Sequence, residues 1–240
     1  MSIQPNPKIR VRFLKAGKIR FVSHRDVARL VERALRKVRL PVAYSEGFSP
    51  RPKISFGLAL SVSHESDAEY FDVSLTRAVD VDALAPQLTE ALPDGLTVTA
   101  VRALESGSAS LQETITSCTW RVEVLGQSVE SVQKAVTEVL AHSELLRQRV
   151  RKGKTSEVDV RPAITEIVVE GPTADGVQLV VELSTEKVSL RPDELIVVLG
   201  EDYQLGRVHR THQWMTVDGA RCEPVKPASS STRRELSSAS

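Results

Sequence analysis

The stretch RFVSHRDVAR, residues 20–29, gathers Arg20, Ser23, His24, Arg25, Asp26 and Arg29 where an apolar segment meets a helix. Ser23 followed three residues later by Asp26 fits a capped helix start. The serine would accept from an early backbone N–H, and the aspartate would reach back to the N-cap amide. Asp26 also complements the positive end of the helix dipole. His24 falls at the first helical position, where free N–H groups favour anions. Two chemistries fit. In one, His24 and Ser23 anchor a phosphate. In the other, His24 is a general acid/base in RNA cleavage or modification, Asp26 orients it and Arg29 steadies developing charge. A lone histidine is more often a structural hydrogen-bonder than a catalyst, so recognition is the stronger expectation and no catalytic residue is assigned.

The helix continues with a cationic stripe. Arg25, Arg29, Arg33 and Arg36 recur at i, i+4, i+8 and i+11, Lys37 follows, and only Glu32 opposes them locally. A solubilising helix normally mixes both signs. The loop YSEGFSPRP (44–52) adds Tyr44 and Phe48, which can stack on bases, with Arg51 and then Lys53 beside them. Cations interleaved with aromatics suit single-stranded or looped RNA. The competing reading tucks Phe48 into the core. Arg10 and Arg12 alternate with Ile9, Val11 and Phe13 and are expected on the open face of a half-buried strand. A second basic patch, RQRVRKGK (147–154), puts Arg147, Arg149 and Arg151 on one strand face. It extends the cationic track or protects an edge strand. His209, His212 and Trp214 lack a carboxylate at ligand spacing, so no metal site is expected.

The charge distribution agrees with a basic face. The net charge is only +1, yet residues 1–60 hold 14 Lys/Arg against 3 Asp/Glu, and residues 61–105 hold 2 against 9. Alternatively, the acidic block folds against the basic one and neutralises it. Two cysteines, Cys118 and Cys222, lie far apart, which excludes a disulfide scaffold, a thiolate zinc site and a self-contained iron–sulfur cluster. No cofactor is expected. No apolar run approaches the ~18–20 residues of a membrane span. MSIQPNPK has no apolar signal core, so a cytoplasmic location is expected.

The elements that must position these residues follow from periodicity. Residues 8–15 alternate as a strand, IRFV extends or re-enters the sheet after the AGK turn, and 24–38 carry one apolar helical stripe ended by Pro41. Strands are expected at 53–60, 69–75 and 96–104, with a helix from Asp80 to about Leu92. The order is β-α-β-β-α-β, the split-βαβ or ferredoxin-like unit. ESGSAS (105–110) looks like a linker. The second half offers strands at 118–126, 145–153, 164–171, 177–184 and 203–217, with helices at 128–140 and 190–200. The expected architecture is α+β: tandem ferredoxin-like domains over 1–105 and 106–217 with antiparallel sheets, then a disordered tail over 218–240.

Between Phe13 and Asp72 the chain resembles the bacterial family of radical SAM-linked proteins. FLKAG, RFVSHRDVAR, LPVAYSEGFSPRPKISF and EYFD carry the likeness, and DVRPAI (159–164) and SLRPDEL (189–195) extend it. It covers about residues 8–212. Arg25 departs from it, where the family often has leucine. The resemblance implies an accessory or substrate-recognition role beside a separate radical SAM enzyme. The chain lacks that enzyme's three-cysteine motif. Combined with the basic face, it leads to the expectation of an RNA-binding accessory protein. The other readings are an RNA enzyme using His24 and a docking module that holds the radical SAM partner without RNA.

Overall fold

The computed structural model describes residues 6–151 and 153–226. It is a mixed α+β protein with mostly antiparallel sheet. No helix among the described residues is long and apolar enough to cross a membrane. The contacts divide the chain into two compact units that are discontinuous in sequence. Residues 6–59, 69–112 and 224–226 form one, and 60–68 and 113–223 the other.

The first unit contains β1 (Lys8–Lys15), α1 (His24–Lys37), β2 (Ile54–Phe56), the main part of β3 (Glu65–Ser74), α2 (Leu84–Ala91) and β4 (Leu96–Leu104). Its strands lie in the order β4-β1-β3, with β2 paired to β3. β1–β4 and β2–β3 are antiparallel. Ile9, Val11 and Phe13 of β1 and Phe71 and Val73 of β3 turn to one face. There they meet Val27, Val31 and Leu35 of α1 and Leu84 and Leu88 of α2. Each such side chain contributes about 1.5–3 kcal/mol when withdrawn from water.

Several local expectations change. Arg10 and Arg12 are not on an open face: they are 3% and 5% exposed. Arg10 donates from Nε and Nη2 to the two carboxylate oxygens of Asp72 at 2.8 and 2.9 Å, and Nη2 also reaches the Ala109 carbonyl. Arg12 donates to the Tyr70 hydroxyl and the Thr99 hydroxyl. The 105–110 stretch, expected as a linker, therefore supplies an acceptor to the sheet. IRFV does not extend β1: Gly17–Phe21 is a 3-10 turn, entered through Gly17 at φ 69°. Lys15 is buried and its ammonium donates to the Arg20 and Val22 carbonyls, holding the turn against the strand end. The strand expected at 53–60 is only Ile54–Phe56. Asp80 caps a turn at Asp82 rather than the helix, which starts at Leu84.

In the second unit, a short α3 (Leu111–Thr114) at its boundary leads into β5 (Ile115–Leu125), α4 (Val129–Ala141), β6 (Leu146–Arg151) and β7 (Lys154–Asp159). β8 (Ile164–Pro172), β9 (Gly176–Ser184), α5 (Pro192–Leu199), β10 (Gln204–Val217) and β11 (Ala220–Cys222) complete it. The sheet runs β10-β5-β9-β8, each pair antiparallel. Glu65 and Ser66, at the start of β3, pair in parallel with His209 and Arg210 of β10. β6 and β7 form a separate hairpin, so the loop expected after residue 153 is partly strand. The disorder expected from residue 218 is also corrected. Asp218 and Gly219 both have positive φ, the geometry of a two-residue hairpin turn, and β11 returns along β10. Residues 227–240 of the expected tail lie outside the described residues.

The end of α1 generates a stability prediction. The helix stops before Pro41 because Arg39 turns left-handed, at φ 55°. The Arg39 N–H donates to the Arg36 carbonyl and the Leu40 N–H to Leu35, closing the helix C-terminus. A side chain in that conformation costs about 1–2 kcal/mol, and glycine's greater unfolded-state freedom returns part of it. Arg39→Gly should raise the stability of the exposed helix end by about 0.5–1 kcal/mol in a urea titration, and a loss of stability would contradict this geometry.

Candidate nucleic-acid interface

The α1 start is assembled as a cap. Ser23 Oγ accepts the Asp26 N–H at 3.2 Å and donates its own proton to Asp26 Oδ2 at 2.7 Å. Asp26 thus takes the serine hydroxyl rather than the N-cap amide. Its other oxygen accepts from Arg29 at 2.8 Å. The Ser23 hydrogen bond, then the Arg29 and Arg25 charges, hold the Asp26 carboxyl below its ordinary pKa. Both oxygens of Asp26 are therefore engaged without His24. His24 is half-buried, and its ring meets the Phe56 ring edge-on at 5.4 Å. This contact places the helix start beside β2, the strand that follows the aromatic loop.

The stripe is exposed but not uniformly unpaired. Arg29 is bound to Asp26, and Arg36 contacts the Glu32 carboxylate and carbonyl. Arg25, exposed, helps to lower the Asp26 pKa. Arg33 and Lys37 are exposed and have no side-chain partner among the described residues. Periodicity set these positions, but it could not show which cations the helix itself neutralises.

The loop is a closed excursion from the sheet edge. Tyr44 and Pro52 form a bridge, the Ser45 N–H donates to the Arg51 carbonyl at 2.8 Å, and the Arg51 N–H donates to Ser45 Oγ at 3.0 Å. Gly47, at φ 120°, makes the bend. Tyr44 is 48% exposed and Phe48 is fully exposed, with Arg51 and Lys53 also exposed on the returning arm. Phe48 is not a core residue. Leaving it in water forgoes the roughly 1.5–3 kcal/mol that burial supplies. Phe21 is a further exposed aromatic, at 59%, with the Arg20 guanidinium 4.6 Å above its ring. The strand reading of IRFV concealed it. A strand would have been expected to bury Phe21, whereas the 3-10 turn leaves it outside.

The second basic patch lies in the other unit and is largely tethered. Arg147 donates to the Val197 carbonyl at 2.6 Å. Arg149 donates to the Ser189 carbonyl and pairs with Glu194 at 3.1 Å. These bonds fasten the β6–β7 hairpin to α5 and its approach. The side chain of Arg151 lies outside the described residues. On β10, His209 Nε2 lies 3.3 Å from Asp67 Oδ1, and the Asp67 pairing raises the imidazole pKa against the opposing effect of burial. His212 stacks on Trp214 at 4.8 Å, and Arg221 covers the Trp214 ring at 4.0 Å. Among the described residues, no group of three His, Cys, Asp or Glu is placed to hold a metal.

A family model described as an uncharacterized protein conserved in bacteria (DUF2344) matches residues 8–192. No curated protein matches the chain.

The cap can be tested directly. Ser23→Ala should cost about 1 kcal/mol of stability at neutral pH. A depressed folded-state pKa stabilises above the ordinary value near 3.8 and loses that contribution as pH falls through the lower folded value. The gap between wild type and Ser23→Ala in denaturant melts should therefore hold steady above about pH 5 and narrow below pH 4. A gap that widens on acidification would contradict the cap.

Proposed function

The chain belongs to the DUF2344 family, and we propose that it binds single-stranded or looped RNA through its first unit. The observation that carries this reading is Phe48, fully exposed on a loop that also displays Tyr44, Arg51 and Lys53. Base stacking repays an exposed aromatic, by about 1–3 kcal/mol per base, and is tolerant of sequence. Arg33 and Lys37 supply phosphate contacts that need not first break an ion pair, and Arg25 and Arg29 lie on the same helix. Arginine's planar fork suits phosphate oxygens.

The radical SAM-linked likeness of Phe13–Asp72 supports an accessory role in which a separate radical SAM enzyme does the chemistry. The strand orders β4-β1-β3-β2 and β10-β5-β9-β8, with their intervening helices, support reading the chain as tandem ferredoxin-like domains, the second interrupted by the β6–β7 hairpin. Recognition is preferred to catalysis by His24 because the carboxylate that would orient it is occupied by Ser23 and Arg29.

Fluorescence anisotropy with a short single-stranded RNA across a salt series tests this reading. Affinity should fall steeply with salt, with a log–log slope near −0.7 for each phosphate neutralised. Phe48→Ala should weaken binding by about five-fold or more at every salt concentration. Arg33→Gln should weaken binding and flatten the slope by about one phosphate contact. Absent or salt-insensitive binding would overturn the proposal, as would Phe48→Ala binding like wild type.

A further inference from the structure

The face of the first sheet away from α1 and α2 is polar by register. Ser55 of β2 lies opposite Asp72 of β3, and opposed residues of an antiparallel pair point to the same side. Lys53 precedes Ser55 by two, and Ser74 follows Asp72 by two, so all four share that side. The Arg10–Asp72 pair brings β1 to the same surface, and Lys8, two residues before Arg10, joins it. Lys8, Lys53, Ser55, Asp72 and Ser74 line a cleft of about 250 Å³ there.

Its unused bonding groups define what it can hold. The ammonium groups of Lys8 and Lys53 and the hydroxyls of Ser55 and Ser74 have no side-chain partner among the described residues. Asp72, the acidic group of the lining, is compensated by the two-pronged contact from Arg10. The cleft therefore presents two uncompensated positive charges and two hydroxyl donors converging from three strands. Its volume is below the roughly 300–1,000 Å³ of drug-sized ligand sites, so the occupant is a small group.

We infer that this cleft is a binding site for a phosphoryl group, a terminal phosphate monoester or inorganic phosphate. A dianion matches both lysine charges, and its oxygens accept from the two serines. The site stands apart from the RNA-binding reading. Lys53 is common to both, but Lys8, Ser55 and Ser74 are not part of the aromatic and arginine surface.

Isothermal titration calorimetry of the full chain at constant ionic strength tests it, with inorganic phosphate, adenosine 5′-monophosphate and adenosine as probes. Saturable one-to-one binding is expected for the first two and none for adenosine. The Lys8→Gln/Ser55→Ala double variant should weaken phosphate affinity by about thirty-fold or more, since it removes a charged and a neutral hydrogen bond. Lys134→Gln, an exposed change on α4 outside both surfaces, should leave it unchanged. A parallel anisotropy assay compares 5′-phosphorylated with 5′-hydroxyl RNA. A phosphate-dependent gain that Lys8→Gln/Ser55→Ala abolishes makes an RNA end the source. Calorimetric binding of the monophosphate without that gain makes it a small phosphorylated molecule. No saturable phosphate binding by wild type would overturn the inference, as would equal binding by a double variant that melts like wild type. Failure of the RNA reading is registered separately, by Phe48→Ala.

Discussion

The first unit is organised around a charge that has to be buried in company. Arg10 lies almost wholly out of water on β1, and Asp72 receives it on β3 through two hydrogen bonds. Desolvating both ions offsets much of their attraction, so the pair adds little net stability over an apolar equivalent. What it adds is register. A one-residue slip of either strand would leave two buried charges unpartnered, a penalty of several kcal/mol. With β1 and β3 fixed, Ile9, Val11, Phe71 and Val73 are committed to the helical side and Lys8, Asp72 and Ser74 to the other. The sheet's two characters, one packing and one binding, are consequences of the same pairing.

The helical side then places the surface proposed to meet RNA. α1 buries Val27, Val31 and Leu35, which turns its arginine stripe outward. The Ser23–Asp26–Arg29 cap fixes where the helix begins, and the His24–Phe56 contact sets that beginning beside β2. The loop before β2 is tied at its neck by the Tyr44–Pro52 bridge and left open at Phe48. A tied neck limits the conformations that must be ordered on binding, so less of the stacking energy is lost to loop entropy. By contrast, the basic hairpin of the second unit has its arginines already engaged with α5 and the segment before it.

Long periodic elements were legible in the sequence. The apolar stripe of 24–38 and the alternation of 96–104 gave α1 and β4 nearly to the residue. The Ser23 cap was legible because its chemistry is local. Long-range partners were not. Alternation correctly put Arg10 and Arg12 on the opposite face from Val11, but it could not show that Asp72, Ala109, Tyr70 and Thr99 close over that face. The Asp218–Gly219 hairpin turn carried a signal that polar composition around it masked. The exposure of Phe48 was undecidable from sequence because an aromatic between prolines fits either a core plug or a displayed loop. The phosphoryl cleft was invisible, since its lysines and serines lie far apart in the chain and converge only through strand register.

The central claim is that RNA contacts the aromatic loop of the first unit, and photocrosslinking maps that contact without altering the protein. The full chain would be irradiated with single-stranded RNA, digested with nuclease and protease, and nucleotide-bearing peptides identified by mass spectrometry. The account predicts nucleotide adducts on the peptide spanning residues 40–53, at Tyr44 or Phe48, that disappear as salt is raised. Adducts confined to residues 113–223, or none under conditions where RNA binding is measured, would contradict it.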